Sequence, residues 1–406
     1  MKVVIFTHAA GSPEHGPNLR WYYLGKRLKE LGCDVTIVGS SFFHKYVVQP
    51  EVDGLFEEKV IDGLEYVFLK NLKYRGFFGR LLNQFFFPLM CWIWVLTQGK
   101  KISPDVVVSS SPPPFCIFPA CTLAKKNGSS LIYEVRDLWP LVVQELSGAS
   151  SRHPYVKILK FTEKFAVNNS NIIVSVKPGD LKYFSKEYGL SEDRFSFQPN
   201  GFLPEPDGEL ERNEEDISRG RSLVVGYVGA MSAYYGLKEF LETACLLKGD
   251  PFLKFVLVGS GEDYESLVKM KETHDLDNVE FVGRVPKNDV PKYLFNFDIC
   301  YVGLKDVTAN LHGISCNKIF EYMYAGKPIV ASYRTLFDPV EQAGCGITVA
   351  PGSPTEIKDA ILKLKNSCEK RIEMGINARA YFDANHDFNV IGDRYFKKMR
   401  ELRNNG

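Results

Sequence analysis

Short apolar runs rich in β-branched residues alternate with longer helical patterns along almost the whole chain, and this alternation limits its possible folds more than any other feature. The order strand, helix, strand predicts right-handed crossover connections and parallel sheets. Between the first two predicted strands, residues 18–31 have the pattern of an amphipathic helix that Gly32 ends. The strands predicted in the first half are 2–6, 34–38, 105–109, 131–135 and 172–175. The sequence therefore predicts an α/β fold.

The composition changes near residue 200, where Pro199-Asn200-Gly201 predicts a turn and residues 204–220 are rich in Pro, Gly and charged residues. A second series of strands follows at 223–228, 254–258, 279–281, 298–302, 328–331 and 347–349. A chain of 406 residues suits two domains of roughly 200 residues each. We expect a first doubly wound domain at 1–200, a linker at 201–220, a second domain at 221–385 and a C-terminal helix at 386–406 that packs back on the first domain.

The bulk composition excludes several classes of protein. Lys and Arg number 50 against 49 Asp and Glu, which gives no sign of a nucleic-acid-binding surface. The nine cysteines form no C-x-x-C pair, which favours reduced, buried thiols in a cytosolic protein. The short apolar run at the N-terminus is typical of a first strand rather than a signal peptide. We expect no bound metal, no cofactor and no nucleic-acid partner.

The stretch SCNKIFEYMYAGKP at 315–328 is the most informative for chemistry. Ser315 can cap a helix whose first turn offers backbone N–H groups to an anion, and Lys318 adds a positive charge there. Glu321 lies on the same helix face. A lysine for a diphosphate beside a carboxylate for ribose hydroxyls suits a nucleotide diphosphate. The alternative is a surface Lys–Glu pair on a helix that Gly326-Lys327-Pro328 ends.

Glycine turns follow several strands of the second half, in VGYVGA at 225–230, FVLVGSG at 255–261, NVEFVGRVP at 278–286 and AGCGI at 343–347. With the 315–328 stretch they resemble, in order and spacing, the donor-binding half of family-four glycosyltransferases of the GT-B fold. More narrowly, the chain resembles the bacterial branch that builds O-antigen, capsule and other exopolysaccharides, including transferases of N-acetylfucosamine. In the first half, SSPPP at 110–114, YEVRDLWP at 133–140 and PNG at 199–201 are similar to the same branch.

The resemblance implies two Rossmann-like domains that face each other across a cleft. It implies a retaining transferase that needs no metal, with a nucleotide diphosphate sugar, UDP-linked, as donor and a polyprenyl-diphosphate-linked glycan as acceptor. The catalytic candidates are Lys318, Asp137 and Arg136. The donor-binding candidates are Gly229, Ala230, Gly259, Arg284, Val285, His312, Ser315, Asn317, Lys318 and Glu321. The acceptor-binding candidates are Gly11, His15, Gly16, Asp137 and Trp139.

The chain departs from the family pattern near the donor. The wider family carries a second glutamate eight positions before the one matched by Glu321, where this chain has Gly313 and the neighbouring His312 could contact the sugar. The family's basic pair after the first glycine turn is also missing, because residues 231–235 carry no charge. Arg284 is either a basic helper of Lys318 or an exposed charge at the rim.

Two interpretations remain open for the end of the predicted strand at 131–135. The histidine that many relatives present there falls at Arg136 or Asp137, and either can inherit its place. Asp137 could take a proton from an acceptor hydroxyl, or it could instead cap the helix that Leu138-Trp139-Pro140 begins.

Residues 70–101 form a basic and apolar segment. Four basic residues fall within 70–80, twelve apolar residues follow at 85–96 with Trp92 and Trp94, and Lys100 and Lys101 come next. Twelve residues make about 18 Å of helix, too short for a hydrocarbon core of roughly 30 Å. We expect a helix lying on the cytoplasmic face of the inner membrane, held at interface depth by both tryptophans. The alternative is a helix buried within its domain.

Two other classes of function compete with transfer. An epimerase of nucleotide sugars shares the fold, and a non-catalytic nucleotide-sugar-binding partner protein would explain the missing glutamate. A Rossmann dehydrogenase is not supported, because Gly226, Gly229, Gly259 and Gly261 form no G-x-G-x-x-G.

Overall fold

The computed structural model describes residues 1–16, 18–203, 222–286 and 289–404, and divides the chain into two compact units. Unit 1 consists of Met1–Pro199 and Phe388–Gly406, and unit 2 of Asn200–Asp387. Apart from residues 201–203, the predicted linker at 201–220 lies outside the described residues. Each unit is built around its own parallel sheet, so the predicted α/β fold class is confirmed.

Unit 1 contains an eight-stranded sheet in the order β3-β4-β2-β1-β5-β6-β7-β8. Its strands are β1 (Lys2–Thr7), β2 (Asp34–Ser40), β3 (Phe56–Ile61), β4 (Leu64–Leu69), β5 (Val106–Ser110), β6 (Ser130–Val135), β7 (Ile172–Ser175) and β8 (Phe195–Phe197). Its helices are α1 (Arg20–Glu30), α2 (Gly76–Ile102), α3 (Ile117–Asn127), α4 (Trp139–Ser147), α5 (Pro154–Asn169), α6 (Asp180–Tyr188) and, from the end of the chain, α14 (Phe388–Asn404).

The hairpin of β3 and β4 and the short strand β8 were not predicted. The edge strand β3 pairs antiparallel with β4, whereas the other strand pairs of this sheet run parallel. Glu57, Glu58 and Lys59 make β3 polar and exposed, so it lacks the apolar run that marks a buried strand.

The C-terminal helix α14 belongs to unit 1 and packs on α1. Trp21 and Tyr395 meet edge to face with 5.5 Å between ring centroids, and Arg27 Nε donates to Asp393 Oδ1 at 2.8 Å. Gly392 allows close approach, since a Cβ there would lie 2.8 Å from the Cβ of Arg27.

Unit 2 contains a six-stranded sheet in the order β11-β10-β9-β12-β13-β14, in which every described strand pair is parallel. Its strands are β9 (Leu223–Val228), β10 (Leu253–Val258), β11 (Val279–Gly283), β12 (Ile299–Gly303), β13 (Ile329–Ser332) and β14 (Gly346–Val349). Its helices are α7 (Leu237–Leu246), α8 (Tyr264–Thr273), α9 (Val290–Asn296), α10 (Asn317–Tyr324), α11 (Pro339–Gln342), α12 (Pro354–Lys365) and α13 (Cys368–Asn385). The order changes direction at β9, where the first strand of this series pairs with both β10 and β12. Doubly wound sheets bind ligands beside such a point, at the carboxyl ends of the strands.

Helix α2 is longer than the twelve-residue apolar run from which it was predicted. It has 27 residues, and its stretch Gly76–Gly99 is long and apolar enough to cross a membrane. However, 44% of the most apolar part of this stretch is buried inside the protein. Trp94 is buried in the core against Phe6, so its predicted place at a membrane interface is wrong. Trp92 is 38% exposed and donates Nε1–H to Thr122 Oγ1 at 3.1 Å. The helix is therefore a core element with a second, exposed apolar face.

Candidate functional site

In unit 2, the glycine turns that follow β9 and β10 at their carboxyl ends contact each other. The N–H of Gly229 donates to the Val258 carbonyl at 2.9 Å, and the N–H of Gly259 donates to the Gly283 carbonyl at 2.8 Å. A Cβ at Gly259 would lie 1.9 Å from the Gly229 oxygen, and φ there is +139°. Only glycine fits this close approach of the two turns. The glycine positions that the sequence predicts for a donor therefore lie side by side.

Lys318 lies over the first of these turns. A Cβ on Gly229 would be 3.0 Å from Cε and 3.1 Å from Nζ of Lys318. The N–H of Gly229 is already donated to Val258, so what Gly229 contributes to the site is space beside the ammonium group. Two residues predicted from separate motifs are brought into contact here, and together they form a candidate anion site.

The ammonium group of Lys318 is held among tyrosines. Its Nζ donates to Tyr227 Oη at 2.7 Å and lies 4.2 Å from the centre of the Tyr227 ring and 3.5 Å from that of Tyr235. Lys318 is 7% exposed, and burial lowers its pKa from 10.5 to about 8, while the nearby charge of Glu321 acts in the opposite direction. A buried cation with a lowered pKa at a strand end is typical of a functional site.

Helix α10 carries Lys318 and is fixed to the end of β9. The N–H of Val228 donates to the hydroxyl of Tyr322, which is fully buried, at 2.9 Å. The predicted cap is wrong: Cys316 occupies the N-cap position, the cap makes no side-chain hydrogen bond, and Ser315 Oγ is buried without a hydrogen-bond partner among the described residues. Asn317 begins the helix and is exposed.

The other donor candidates lie around this centre. Ala230 follows Gly229 and is exposed, and its carbonyl accepts from Tyr227 Oη. His312 is half-buried at the end of a 3-10 turn, five residues before α10. Arg284 and Val285 follow β11, the edge strand. Strand β11 lies two strands from β9, about 10 Å away, and Arg284 is exposed at its end. A role for Arg284 as a helper of Lys318 stays a prediction.

Residues 222–367 match the family described as "Glycosyl transferases group 1". The match covers less than half of the chain. It covers the glycine turns and Lys318, and it confirms the predicted glycosyltransferase class for this part of the chain. The narrower resemblance to transferases of N-acetylfucosamine stays a prediction.

Several known proteins are similar to the chain. An uncharacterised glycosyltransferase of Methanocaldococcus jannaschii is 28% identical over 184 residues, which is 44% of this chain and 45% of that protein. The α-D-kanosaminyltransferase of Streptomyces kanamyceticus is 24% identical over 279 residues, 65% of this chain and 71% of that protein. The first of these alignments thus spans under half of the relative's length.

A crystal structure of Anabaena HepE in complex with UDP and glucose covers 98% of this chain and 99% of its own, with a TM-score of 0.66 at 16% identity. At this identity the likeness concerns the fold. The predicted GT-B glycosyltransferase fold is confirmed.

Outside the stretch that matches the family, the residues predicted for catalysis in unit 1 follow β6. Asp137 is half-exposed, and its Oδ1 lies 3.7 Å from Nζ of Lys177, which follows β7. Asp137 does not cap α4, because Leu138 is the N-cap residue and the cap has no side-chain hydrogen bond. Arg136 has a buried Nε without a hydrogen-bond partner among the described residues, and burial lowers the pKa of its guanidinium. The structure therefore keeps both residues as candidates at the carboxyl edge.

The predicted acceptor loop after β1 is largely internal. Gly11 is buried, and its carbonyl accepts from Tyr66 Oη at 3.2 Å. His15 is 3% exposed, with Nδ1 2.7 Å from Ser12 Oγ, and burial lowers its pKa. Gly16 has φ +105° and would bring a Cβ to 3.0 Å from Val47. His15 therefore holds the loop together instead of presenting its ring to an acceptor, whereas Trp139 remains half-exposed.

Sequence reasoning missed the residues that surround the predicted charges. Tyr227 stands in the quoted glycine motif but was assigned no role, since an aromatic residue in a strand is usually core. Tyr235 falls in the stretch noted only for lacking charge, and Lys177 carries no motif. The one available signal was the pair Tyr234-Tyr235 directly before Gly236, at the place of the family's basic pair.

Proposed function

We propose that the chain is a retaining, metal-independent glycosyltransferase. It takes a sugar, an N-acetylated amino sugar, from a UDP-linked nucleotide sugar and transfers it to a glycan carried on a polyprenyl diphosphate. The product belongs to a bacterial surface polysaccharide such as O-antigen or capsule. The observation that carries the proposal is the buried ammonium of Lys318 over Gly229 within a glycosyltransferase group 1 domain.

The role proposed for Lys318 follows from the negative charge that develops on the leaving diphosphate during transfer. Breaking the bond between a sugar and a nucleotide diphosphate leaves negative charge on the diphosphate, and a positioned cation stabilises it. Nζ is held by Tyr227 Oη and by two ring faces, so it is oriented before the donor arrives. Such preorganisation lets Lys318 do the work for which other transferases use a divalent cation. Glu321, half-buried on the same helix, is the proposed partner of the ribose hydroxyls.

The acceptor is proposed to bind at the carboxyl edge of unit 1. Asp137 is ion-paired with Lys177, and its side chain is 47% exposed, so it can meet a hydroxyl group. In a front-face displacement the leaving phosphate helps to deprotonate the acceptor, and Asp137 or Arg136 orients it. The names of relatives support the donor class: kanosamine is an amino sugar, and the Anabaena structure contains UDP.

A peripheral position on the cytoplasmic face of the inner membrane is proposed from α2. Phe77, Phe78, Leu82 and Leu96 are each more than 60% exposed, and Lys73, Arg75 and Arg80 are exposed beside its N-terminal end. Apolar side chains flanked by basic residues suit the head-group layer of an anionic bilayer. Such a position would bring the enzyme to a lipid-linked acceptor.

The test is a panel of UDP-, GDP- and dTDP-linked sugars, read by melting temperature and by slow hydrolysis in the presence of EDTA. We expect a UDP-linked N-acetylated amino sugar to give the largest rise in melting temperature and to be hydrolysed with retention of its anomeric configuration. Conversion of a nucleotide sugar into its epimer, with no transfer or hydrolysis, would favour the epimerase. Binding without any turnover on a lipid-linked acceptor would favour the non-catalytic protein. Turnover that EDTA abolishes and magnesium restores would contradict the metal-free claim.

A further inference from the structure

Six of the exposed apolar residues of α2 form one stripe along the helix. They recur with spacings of four and three residues, which places them on one side of an α-helix. The stripe consists of Phe78, Leu82, Phe85, Leu89, Trp92 and Leu96, each at least 38% exposed. The buried side of the same helix carries Phe87, Met90, Cys91, Trp94 and Val95, which belong to the core of unit 1. The stripe therefore lies on a different side of α2 from the residues that pack in the core of unit 1.

The stripe continues sideways onto α5. Trp92 of α2 stacks near Phe118 of α3 with 6.3 Å between ring centroids, and Phe118 lies 6.4 Å from Phe161 of α5 in a second stacked arrangement. Phe161 is 63% exposed and Ile158, one turn earlier, is 42% exposed. The exposed apolar surfaces of the two helices are thus joined by a ladder of three rings.

The same surface reaches the predicted acceptor residues. Phe85 of the stripe lies 6.4 Å from Tyr155 at the start of α5, and Tyr155 lies 6.4 Å from Trp139 of α4. Tyr155 Oη also donates to Gln84 Oε1 of α2 at 2.7 Å, which fixes the two helices to one another. The apolar surface therefore runs from α2 to the residues that follow Asp137.

The accessible charges on α2 and α5 are all positive. Between Glu65 and Asp105 the sequence has no acidic residue. Lys73 and Arg75 precede α2, Arg80 and Lys101 lie near its two ends, and all four are exposed. Helix α5 contributes Lys157, Lys160 and Lys164. Its one acid, Glu163, is 2% exposed and accepts from the hydroxyls of Tyr183 and Tyr188. None of the seven basic residues has an ion-pair partner within 4 Å among the described residues.

We propose that α5 is a second lipid-contacting helix, and that α2 and α5 together form one face that lies on an anionic bilayer. The proposal rests on the peripheral position proposed above and extends it beyond residues 70–101. Charge decides the occupant: two copies of a face with only positive charges would repel one another, whereas anionic head groups complement it. Ile158 and Phe161 enter the acyl boundary, and Lys157, Lys160 and Lys164 contact the head groups.

The experiment measures flotation of the whole 406-residue chain with two kinds of vesicle. One kind contains phosphatidylcholine alone, and in the other about 30% of the lipid is anionic phosphatidylglycerol. The variants are Ile158→Ser/Phe161→Ser and Lys157→Ser/Lys164→Ser. The matched controls in unit 2 are Ile372→Ser/Ile376→Ser on α13, which are 50% and 58% exposed, and Lys269→Ser/Lys271→Ser on α8.

We expect the apolar double variant to lower the bound fraction on anionic vesicles roughly tenfold, and the charge variant to lower it about fivefold per lysine. The controls should bind like the wild type. Apart from the half-buried Lys271, the four variants change exposed residues, so unchanged melting temperatures and transfer to a water-soluble acceptor analogue are expected. Gel filtration with light scattering should show the same mass for every variant.

Three results would overturn the inference. Wild-type binding that the α5 variants leave unchanged would confine lipid contact to α2 and leave the proposed function standing. A wild-type dimer that becomes a monomer in Ile158→Ser/Phe161→Ser would make this face an interface between copies. If the wild-type protein does not bind anionic vesicles, the proposed contact with a bilayer is wrong. Transfer to a soluble acceptor would still support the proposed glycosyltransferase activity.

Discussion

Each unit buries a positively charged side chain, but only the one in unit 1 is paired with a carboxylate among the described residues. In unit 1, Arg20 and Glu134 form an ion pair at 3.0 Å with side chains 2% and 0% exposed. In unit 2, Lys318 is buried against tyrosines, and no carboxylate lies within 4 Å of its Nζ among the described residues. A buried pair is satisfied without a ligand, whereas a buried lone cation is costly until an anion arrives. We therefore expect Arg20 to stabilise the fold, and we propose Lys318 for donor binding.

Glu134→Gln should have the largest effect, because it leaves Arg20 charged and buried beside a neutral group. We expect a loss of about 3–5 kcal/mol in the free energy of unfolding, measured by urea denaturation. Asp393→Asn is the control, since it breaks an exposed pair with Arg27 in the same unit and should cost less than about 1 kcal/mol. Equal losses in the free energy of unfolding would mean that the buried Arg20–Glu134 pair stabilises unit 1 no more than the exposed Arg27–Asp393 pair does.

Lys318→Met should separate function from stability. Loss of a preorganised cation from the leaving group should lower kcat by about 10²–10³-fold. Because Lys318 is 7% exposed, it is not the exposed helix-end charge that the sequence suggested, and its removal relieves a desolvation cost. The melting temperature should stay the same or rise. A clear fall in melting temperature would show that unit 2, like unit 1, uses its buried charge to hold the fold.

The pH dependence follows from the same lysine, whose pKa burial lowers to about 8. If Lys318 binds the nucleotide diphosphate as proposed, only its charged form does so, and affinity should fall above pH 8 by up to about tenfold per pH unit. The unfolded chain holds this proton up to a pKa of 10.5, so the contribution of Lys318 to stability rises between pH 8 and 10.5. Calorimetry and thermal melts across this range should therefore show opposite trends, and both should be absent in Lys318→Met.

Tyr227→Phe should have the smallest effect. It removes the hydroxyl that accepts from Lys318 Nζ at 2.7 Å but keeps the ring beneath the ammonium group. We expect donor affinity to fall by about 1 kcal/mol, roughly fivefold, as for one hydrogen bond. Tyr66→Phe, which removes a buried hydroxyl in unit 1, should leave this affinity unchanged. If the two variants behave alike, Tyr227 does not position Lys318.

The parallel strands and helices of unit 2 were predictable because apolar runs and glycine turns are local signals. The sequence placed a helix at 316–325, and the structure has α10 at Asn317–Tyr324. It missed β3, because the exposed acids of this edge strand do not form an apolar run. It also missed β4, although the run YVFL in this strand is apolar and buried. It underestimated α2, because Arg80, Asn83 and Gln84 interrupt the apolar pattern while the helix continues through them.

At the candidate site, the glycines and Lys318 could be predicted from motifs, but their surroundings could not. Tyr227 is separated from Lys318 by 91 residues, and only the tertiary fold brings its hydroxyl to Nζ. Burial has the same origin: the sequence shows a lysine in the first turn of a helix, and only the packing against β9 makes it buried and lowers its pKa. Similarly, Trp92 and Trp94 look alike in sequence, yet one is exposed and the other lies in the core.

The most direct test of the central claim is a calorimetric cycle with wild type and Lys318→Met, each titrated with UDP and with UMP. If Lys318 holds the diphosphate, removing the terminal phosphate and removing the lysine should not be additive, with a coupling energy of about 1.5–3 kcal/mol for a charged hydrogen-bonded pair. The Lys318→Met protein should then bind UDP and UMP with nearly equal affinity. A preference for UDP that is the same in both proteins would show that the diphosphate is bound elsewhere and would contradict the account.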